Sequence, residues 1–161
     1  MTIEMLSAAG GLLFLLTFVH FVVDWLFQTH KEAMEKNTSP VVRARHCLIY
    51  TAGFIPIMLL MKFNFWEFYA GMMILFFSHF IEDTYTPVYL WAKYIRKPSE
   101  MLELEKHKVL SETGDWVMYP RDDKEGFFEF SKTPLGKIIM ITVDQIIHII
   151  FLIPLVWMAL N

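Results

Sequence analysis

Residues 11–28, GLLFLLTFVHFVVDWLFQ, set His20 and Asp24 four positions apart in a run otherwise apolar enough to cross a membrane. A spacing of four puts both side chains on one helix face. An ionisable group at the centre of a span costs roughly 2.5–3.5 kcal/mol or more unless it is paired, coordinated or turned into a bundle interior. The pair is therefore a functional candidate by default. Two further apolar stretches repeat it: His79 and Asp83 in HFIED, and Asp144 and His148 in DQIIH. The first two read His then Asp, and the last reads Asp then His. If the last helix runs opposite to the other two, the three aspartates share one depth and the three histidines the next.

The composition agrees with a membrane chain. Of 161 residues, 55% are hydrophobic and 16% aromatic, and the mean hydropathy is +0.41. Such long apolar runs are unusual in a soluble domain of this size. The expectation is an all-α chain: one integral membrane domain over 1–161, without room for a second core. The single Cys47 excludes an internal disulfide. The opening MTIEMLSAAGG has no basic n-region, so the first apolar run is expected to be a retained helix and not a cleaved signal. No nucleic-acid motif or glycine-rich phosphate loop is present, so no nucleic-acid partner is expected.

Four apolar segments are expected as helices, over 5–28, 42–61, 65–91 and 137–160. Each is near the ~20 residues that a spanning helix needs. The second contains Pro56 and opens with Arg43, Arg45 and His46, but Ser39 and Pro40 mark its start as N-cap and first helical residue. Four antiparallel spans make a transmembrane four-helix bundle with both termini on one side. Of 14 lysines and arginines, only Lys62 falls on that side. The positive-inside rule then makes the opposite side, with the loop 29–41 and the long insertion 92–136, cytoplasmic. Both termini are expected to be periplasmic or extracellular. Within the insertion, PSEMLELEKHKVLSE reads as an amphipathic helix and DWVMYPRDDKEGFFEF as a short hairpin, with Trp116, Phe127, Phe128 and Phe130 as candidates for the membrane interface.

This topology gathers His20, Asp24, His46, His79, Asp83, Asp144 and His148 in the cytoplasmic half. The aspartates sit roughly 6–10 Å below the helix ends and the histidines about 6 Å deeper. Imidazole and carboxylate form a mixed nitrogen and oxygen ligand set, which suits Zn, Mn or Fe better than Mg. One or two divalent ions are expected. Three aspartates leave one charge uncompensated by a single divalent ion, whereas two ions with a bridging hydroxide balance them. The count favours two, and Glu82, three residues after His79, would shift it. The competing reading is a polar core in which His–Asp pairs hydrogen-bond across helices.

Neighbouring residues fit a site near lipid headgroups. Arg43 shares a helix face with His46 and could clamp a phosphate, although an interfacial arginine following the positive-inside rule is the favoured reading. Gln28 continues the His20/Asp24 face, and Gln145 adjoins Asp144; either could orient a ligand or a water. Tyr50, one turn past His46, reads as a packing residue with a satisfied hydroxyl. Cys47 reads as a small core residue, and His30 and His107 as surface residues.

Taken in order, HFVVDWLFQ, RARHCLIYT, FFSHFIED and VDQIIH resemble the signature of a bacterial and phage membrane family called domain of unknown function 3307. The resemblance covers the four apolar segments. It implicates His20, Asp24, Gln28, His46, His79, Asp83, Asp144, Gln145 and His148. More distantly, that family is similar to predicted membrane-bound metal-dependent hydrolases of the bacterial inner membrane. The insertion 92–136 is longer than the family norm and is a candidate lid or partner surface.

The leading expectation is an intramembrane metal-dependent hydrolase acting on a membrane lipid or lipid-linked phosphate at the cytoplasmic leaflet. Asp24 and Asp83 are the candidate catalytic carboxylates, as ligand or general base. One alternative is a nonenzymatic membrane protein with a structural metal or polar His/Asp core, in an assembly or phage-related role. Another is a transporter or sensor of metal ions or protons. A transporter needs polar groups along its whole path. The far halves of the helices, GGLLFLLT, FIPIMLLM, FYAGMMILFF and FLIPLVWMAL, carry no ionisable residue.

Overall fold

The structure is a computed structural model that describes residues 2–96 and 131–160. The helix and hairpin expected within 98–130, with their interfacial aromatics, and His107 lie outside the described residues. All regular structure among the described residues is helical.

Helix α1, Ile3–Phe21, starts at Thr2, whose hydroxyl accepts the Met5 N–H at 3.3 Å. It runs on into a wider π-helical turn, Val22–Leu26. Such turns inside α-helices recur at functional sites, and this one carries Asp24. Together they form a 24-residue apolar stretch, Ile3–Leu26, long enough to cross a membrane. Helix α2, His30–Glu35, is opened by a reciprocal capping box between Thr29 and Glu32.

The second apolar segment begins as expected. Ser39 accepts the Val42 N–H and Pro40 opens α3, Pro40–Gly53. It breaks at Phe54 and resumes as α4, Ile55–Leu60, because Pro56 has no N–H to give to the preceding turn. Lys62, with φ 57°, turns the chain in the left-handed conformation. Asn64 and Glu67 then form a second capping box at the start of α5, Phe65–Glu82. Expected as continuous to residue 91, the third segment is instead interrupted after Asp83. Tyr85 takes φ 58° and α6, Thr86–Trp91, opens with Pro87 at its second position. Pro87 has no N–H to give to the carbonyl of Asp83 four residues back, and its ring crowds that carbonyl, which explains the break. A second π-helical turn, Ala92–Arg96, follows α6.

The last segment is α7, Pro134–Ile150, and α8, Ile153–Leu160, separated by a turn at Phe151 and Leu152 just before Pro154. Thr133 caps α7 by accepting the Gly136 N–H at 2.9 Å. Pro134–Leu160 is the second stretch long and apolar enough to cross a membrane.

The chain divides into two compact units, Met1–Thr84 with Ile146–Asn161, and Tyr85–Gln145. The first unit holds a core of Leu16, Tyr50, Phe54, Met58, Leu75 and Leu155, drawn from α1, α3, α4, α5 and α8. In it α3 packs on α5, α2 and the π turn of α1, while α8 packs on α1 and α5. Outward from that core the surface is apolar: Phe14, Phe18, Leu60 and Trp157 are each more than half exposed.

Candidate metal centre

The packing of α3 on α5 and on the π turn turns three helices' polar side chains inward to one point in the first unit. Asp24 Oδ1 lies 3.0 Å from His46 Nε2 and 3.5 Å from His79 Nε2. The two Nε2 atoms are themselves 2.9 Å apart. Asp83 Oδ2 is 3.6 Å from His46 Nε2 and 3.5 Å from His79 Nε2. All four residues are buried.

A ring proton can serve only one of these contacts at a time. Two imidazole nitrogens and a carboxylate oxygen within 2.9–3.5 Å of one another are therefore over-supplied with acceptors. A cation among them satisfies all three. Ligands about 2.1 Å from an ion lie roughly 3.0 Å apart along an octahedral edge and roughly 3.4 Å apart along a tetrahedral one. The observed 2.9, 3.0 and 3.5 Å span that interval and overrun it by about 0.1 Å at each end. The donor set of neutral imidazole and carboxylate fits a first-row divalent ion.

Among the described residues, three groups of side chains have ligand atoms within 4.8 Å of one another: Asp24, His46 and His79; Cys47, His79 and Asp83; and His79, Glu82 and His148. His79 belongs to all three. Its Nε2 faces Asp24 and His46. Its Nδ1, buried and without a hydrogen-bond partner, is 4.0 Å from Glu82 Oε2. The same Glu82 oxygen is 3.2 Å from His148 Nε2.

The other residues expected from the sequence are placed as follows. His20 lies beside the cluster, its ring centroid 5.3 Å from that of His148, and its Nδ1 is 3.0 Å from the Tyr50 hydroxyl. Tyr50 thus has the satisfied hydroxyl expected of it. Arg43 donates from Nε to the Lys36 carbonyl at 2.7 Å and from Nη2 to the Asn37 carbonyl at 2.8 Å, and its guanidinium lies over the Phe80 ring. Gln28 is half-buried, and its Oε1 has no hydrogen-bond partner. Asp144 and Gln145 belong to the second unit, where Gln145 Nε2 donates to Asp144 Oδ2 at 3.2 Å.

Two residues of the cluster were not expected. Cys47, read as core, is buried but brings its thiol beside His79 and Asp83. Lys36 reaches in from the end of α2, with Nζ 2.8 Å from Asp83 Oδ1, 3.5 Å from Asp24 Oδ1 and 3.4 Å from His46 Nε2. A lysine in the polar stretch HKEAMEKN carries no periodicity that would point to a site.

No curated protein and no solved structure matches this chain. One family does match, over residues 12–161, a range that includes every residue of the cluster. The chain belongs to that family, described as Protein of unknown function (DUF3307).

Proposed function

We propose that the protein is an intramembrane metal-dependent hydrolase that acts on a lipid or lipid-linked phosphate at the cytoplasmic leaflet of a bacterial inner membrane, or of the same membrane when phage-encoded. The observation that carries this reading is the mutual spacing of Asp24 Oδ1, His46 Nε2 and His79 Nε2, which matches the edges of a coordination polyhedron. A bundle of four spans with both termini outside the cytoplasm is part of the proposal. It is supported by the two long apolar stretches, the outward apolar surface and a sequence in which every basic residue but Lys62 falls within 31–45 or 93–137.

A divalent ion held by Asp24, His46 and His79 would polarise a phosphoryl or acyl oxygen and acidify a water molecule. The protein's own groups divide the remaining work. Asp24 Oδ1 is crowded by two imidazoles and an ammonium, which suits a ligand. Asp83 Oδ2 receives no hydrogen bond, so its lone pairs are open to a proton, which suits a general base. Glu82 Oε2 lies 3.2 Å from His148 Nε2 and 4.0 Å from His79 Nδ1, on the side from which a carboxylate could orient a metal-binding histidine.

Elemental analysis of the purified protein, with a hydrolysis screen over phospholipids and lipid phosphates, tests the reading. Bound Zn, Mn or Fe that is lost in Asp24→Asn, together with metal-dependent turnover, is expected. Absence of both metal uptake and turnover sinks it. The second reading, a nonenzymatic membrane protein with a polar core, is favoured by one observation: Lys36 already pairs with both Asp24 and Asp83. A protein whose assembly is unaffected by metal would favour that reading.

A further inference from the structure

Lys36 occupies an unusual place. Its Nζ approaches Asp83 Oδ1 and also Asp24 Oδ1 and His46 Nε2, two of the atoms assigned above to an ion. We propose that Lys36 is the resident counter-ion of the centre: its ammonium fills the cation position, is displaced when a divalent ion binds, and so sets the metal affinity of the site. This inference rests on the reading of the cluster as a metal centre.

Charge favours an internal cation. Asp24, Glu82 and Asp83 are all buried together, and like charges at such range repel strongly away from water. An ammonium within hydrogen-bond reach offsets part of that repulsion, as a metal would do more completely. The contested atoms are Asp24 Oδ1 and His46 Nε2, which the ammonium approaches at 3.5 and 3.4 Å. An ion taking these two atoms must displace the ammonium from them, and the free energy of those contacts is subtracted from its binding.

The backbone below Lys36 is built to present it. Its own N–H donates to the Glu32 carbonyl at 2.9 Å, and Glu32 is locked into the capping box at the other end of α2. Arg43 fixes the carbonyls of Lys36 and Asn37, while its guanidinium rests on Phe80. The stem is thus anchored from α3. The head is not sealed in: the Lys36 side chain is 15% exposed, against 3% for Asp24 and 2% for Asp83. Four methylenes on a fixed backbone let the ammonium swing from the carboxylates into solvent without moving α2. Arg43 is in this account a positioning residue.

The test uses the full chain in detergent or nanodiscs, stripped of metal and titrated with Zn²⁺ or Mn²⁺. Lys36→Met keeps the stem and removes the charge. It should bind metal at least about tenfold more tightly than the parent protein. Its metal-free form should melt at a lower temperature, and metal should raise that temperature by more than in the parent. Lys36→Arg, which keeps a cation, should stay near the parent. If Lys36→Met fails to fold, Lys36→Gln takes its place. A second readout needs no variant: amine acylation at Lys36, mapped by mass spectrometry, should rise when metal is added. Equal or weaker metal binding by the charge-free variant overturns the proposal, and so does a Lys36 amine equally protected with and without metal. Failure of every protein, parent included, to bind either ion overturns the metal centre itself and this role with it.

Discussion

The imidazole of His79 lies flat against the phenol ring of Tyr50, with centroids 3.8 Å apart and planes 6° from parallel. The stack fixes the plane of the one histidine shared by all three ligand groups, so that Nε2 faces Asp24 and His46 while Nδ1 faces Glu82. Tyr50 is one turn beyond His46 on α3, so a single helix supplies both a candidate ligand and the surface that orients its neighbour. The Tyr50 hydroxyl then reaches His20 Nδ1 on α1 at 3.0 Å.

Ring and hydroxyl can be separated by mutation. Tyr50→Phe keeps the stack and loses the contact to His20; it should cost about 1 kcal/mol in stability and leave metal affinity nearly unchanged. Tyr50→Leu removes the stack, and an unconstrained ligand weakens the site. A loss of about 10–100-fold in metal affinity is expected, as for other groups that orient ligands. Titration with Zn²⁺ reads the difference. Equal affinities in the two variants would show that the ring does not orient His79.

Asp24 depends on a close approach two helices away. A Cβ built on Gly53, the last residue of α3, would overlap both methyls of Val23, which lies beside Asp24 in the π turn. Valine is branched at Cβ and has no flexible end to move aside. Gly53→Ala should therefore cost about 1–3 kcal/mol, the usual range for overpacking, and should weaken metal binding by shifting the π turn. At Gly71 an added Cβ meets the terminal methyl of Met58, which can rotate away. Gly71→Ala should change stability by less than about 1 kcal/mol. Thermal unfolding in detergent compares the two, and Val23→Ala should rescue Gly53→Ala but not Gly71→Ala.

Much of the centre was legible in the sequence, and the reasons are local. His20, Asp24, His46, His79, Asp83 and His148 stand out because a polar group in an apolar run is expensive and because a spacing of four marks one face. Spacing does not say which neighbouring helix that face meets. His148 was read with Asp144 on its own helix, whereas in the first unit it lies against Glu82 of α5. The break at Pro56 was foreshadowed by the residue itself. The π turn at Val22–Leu26 was not, since VVDWL has neither proline nor glycine. Lys36 was out of reach for a different reason. Only the fold of α2 back against α3, pinned by Arg43, carries a loop lysine into the cluster.

Outside the apolar segments, Glu32 gives a pH signature. The Thr29 backbone N–H at 2.9 Å is the largest influence holding its carboxyl below the ordinary 4.5, against the opposing effect of burial. The Thr29 hydroxyl and Arg45 add to the same direction. A carboxyl with a lowered folded pKa stabilises the fold fully above its unfolded value, and that contribution is lost as pH falls through the folded value. Stability of the parent protein should therefore drop below about pH 4.5, with a component that Glu32→Gln lacks. Thermal unfolding of both proteins between neutral and acid pH checks this. Parallel curves would show that Glu32 contributes nothing to the acid limb.

Asp83 separates a ligand from a base. Its Oδ1 is held by Lys36 at 2.8 Å, while its Oδ2 faces His46 and His79 without receiving a hydrogen bond. Asparagine keeps the volume and one oxygen but removes the charge that could accept a proton. Asp83→Asn should therefore abolish hydrolysis, a loss of at least about 100-fold by comparison with other general bases, while the helices stay assembled. Asp24→Asn should instead lose the metal first, because Asp24 Oδ1 lies within 3.5 Å of both imidazole nitrogens. Metal content, turnover and gel-filtration profile of the two variants form one experiment. An Asp83→Asn protein with full metal content and full turnover removes Asp83 from the chemistry. The buried carboxylates would then be read as interhelical partners of Lys36 and the histidines, as in any polar core within a membrane bundle.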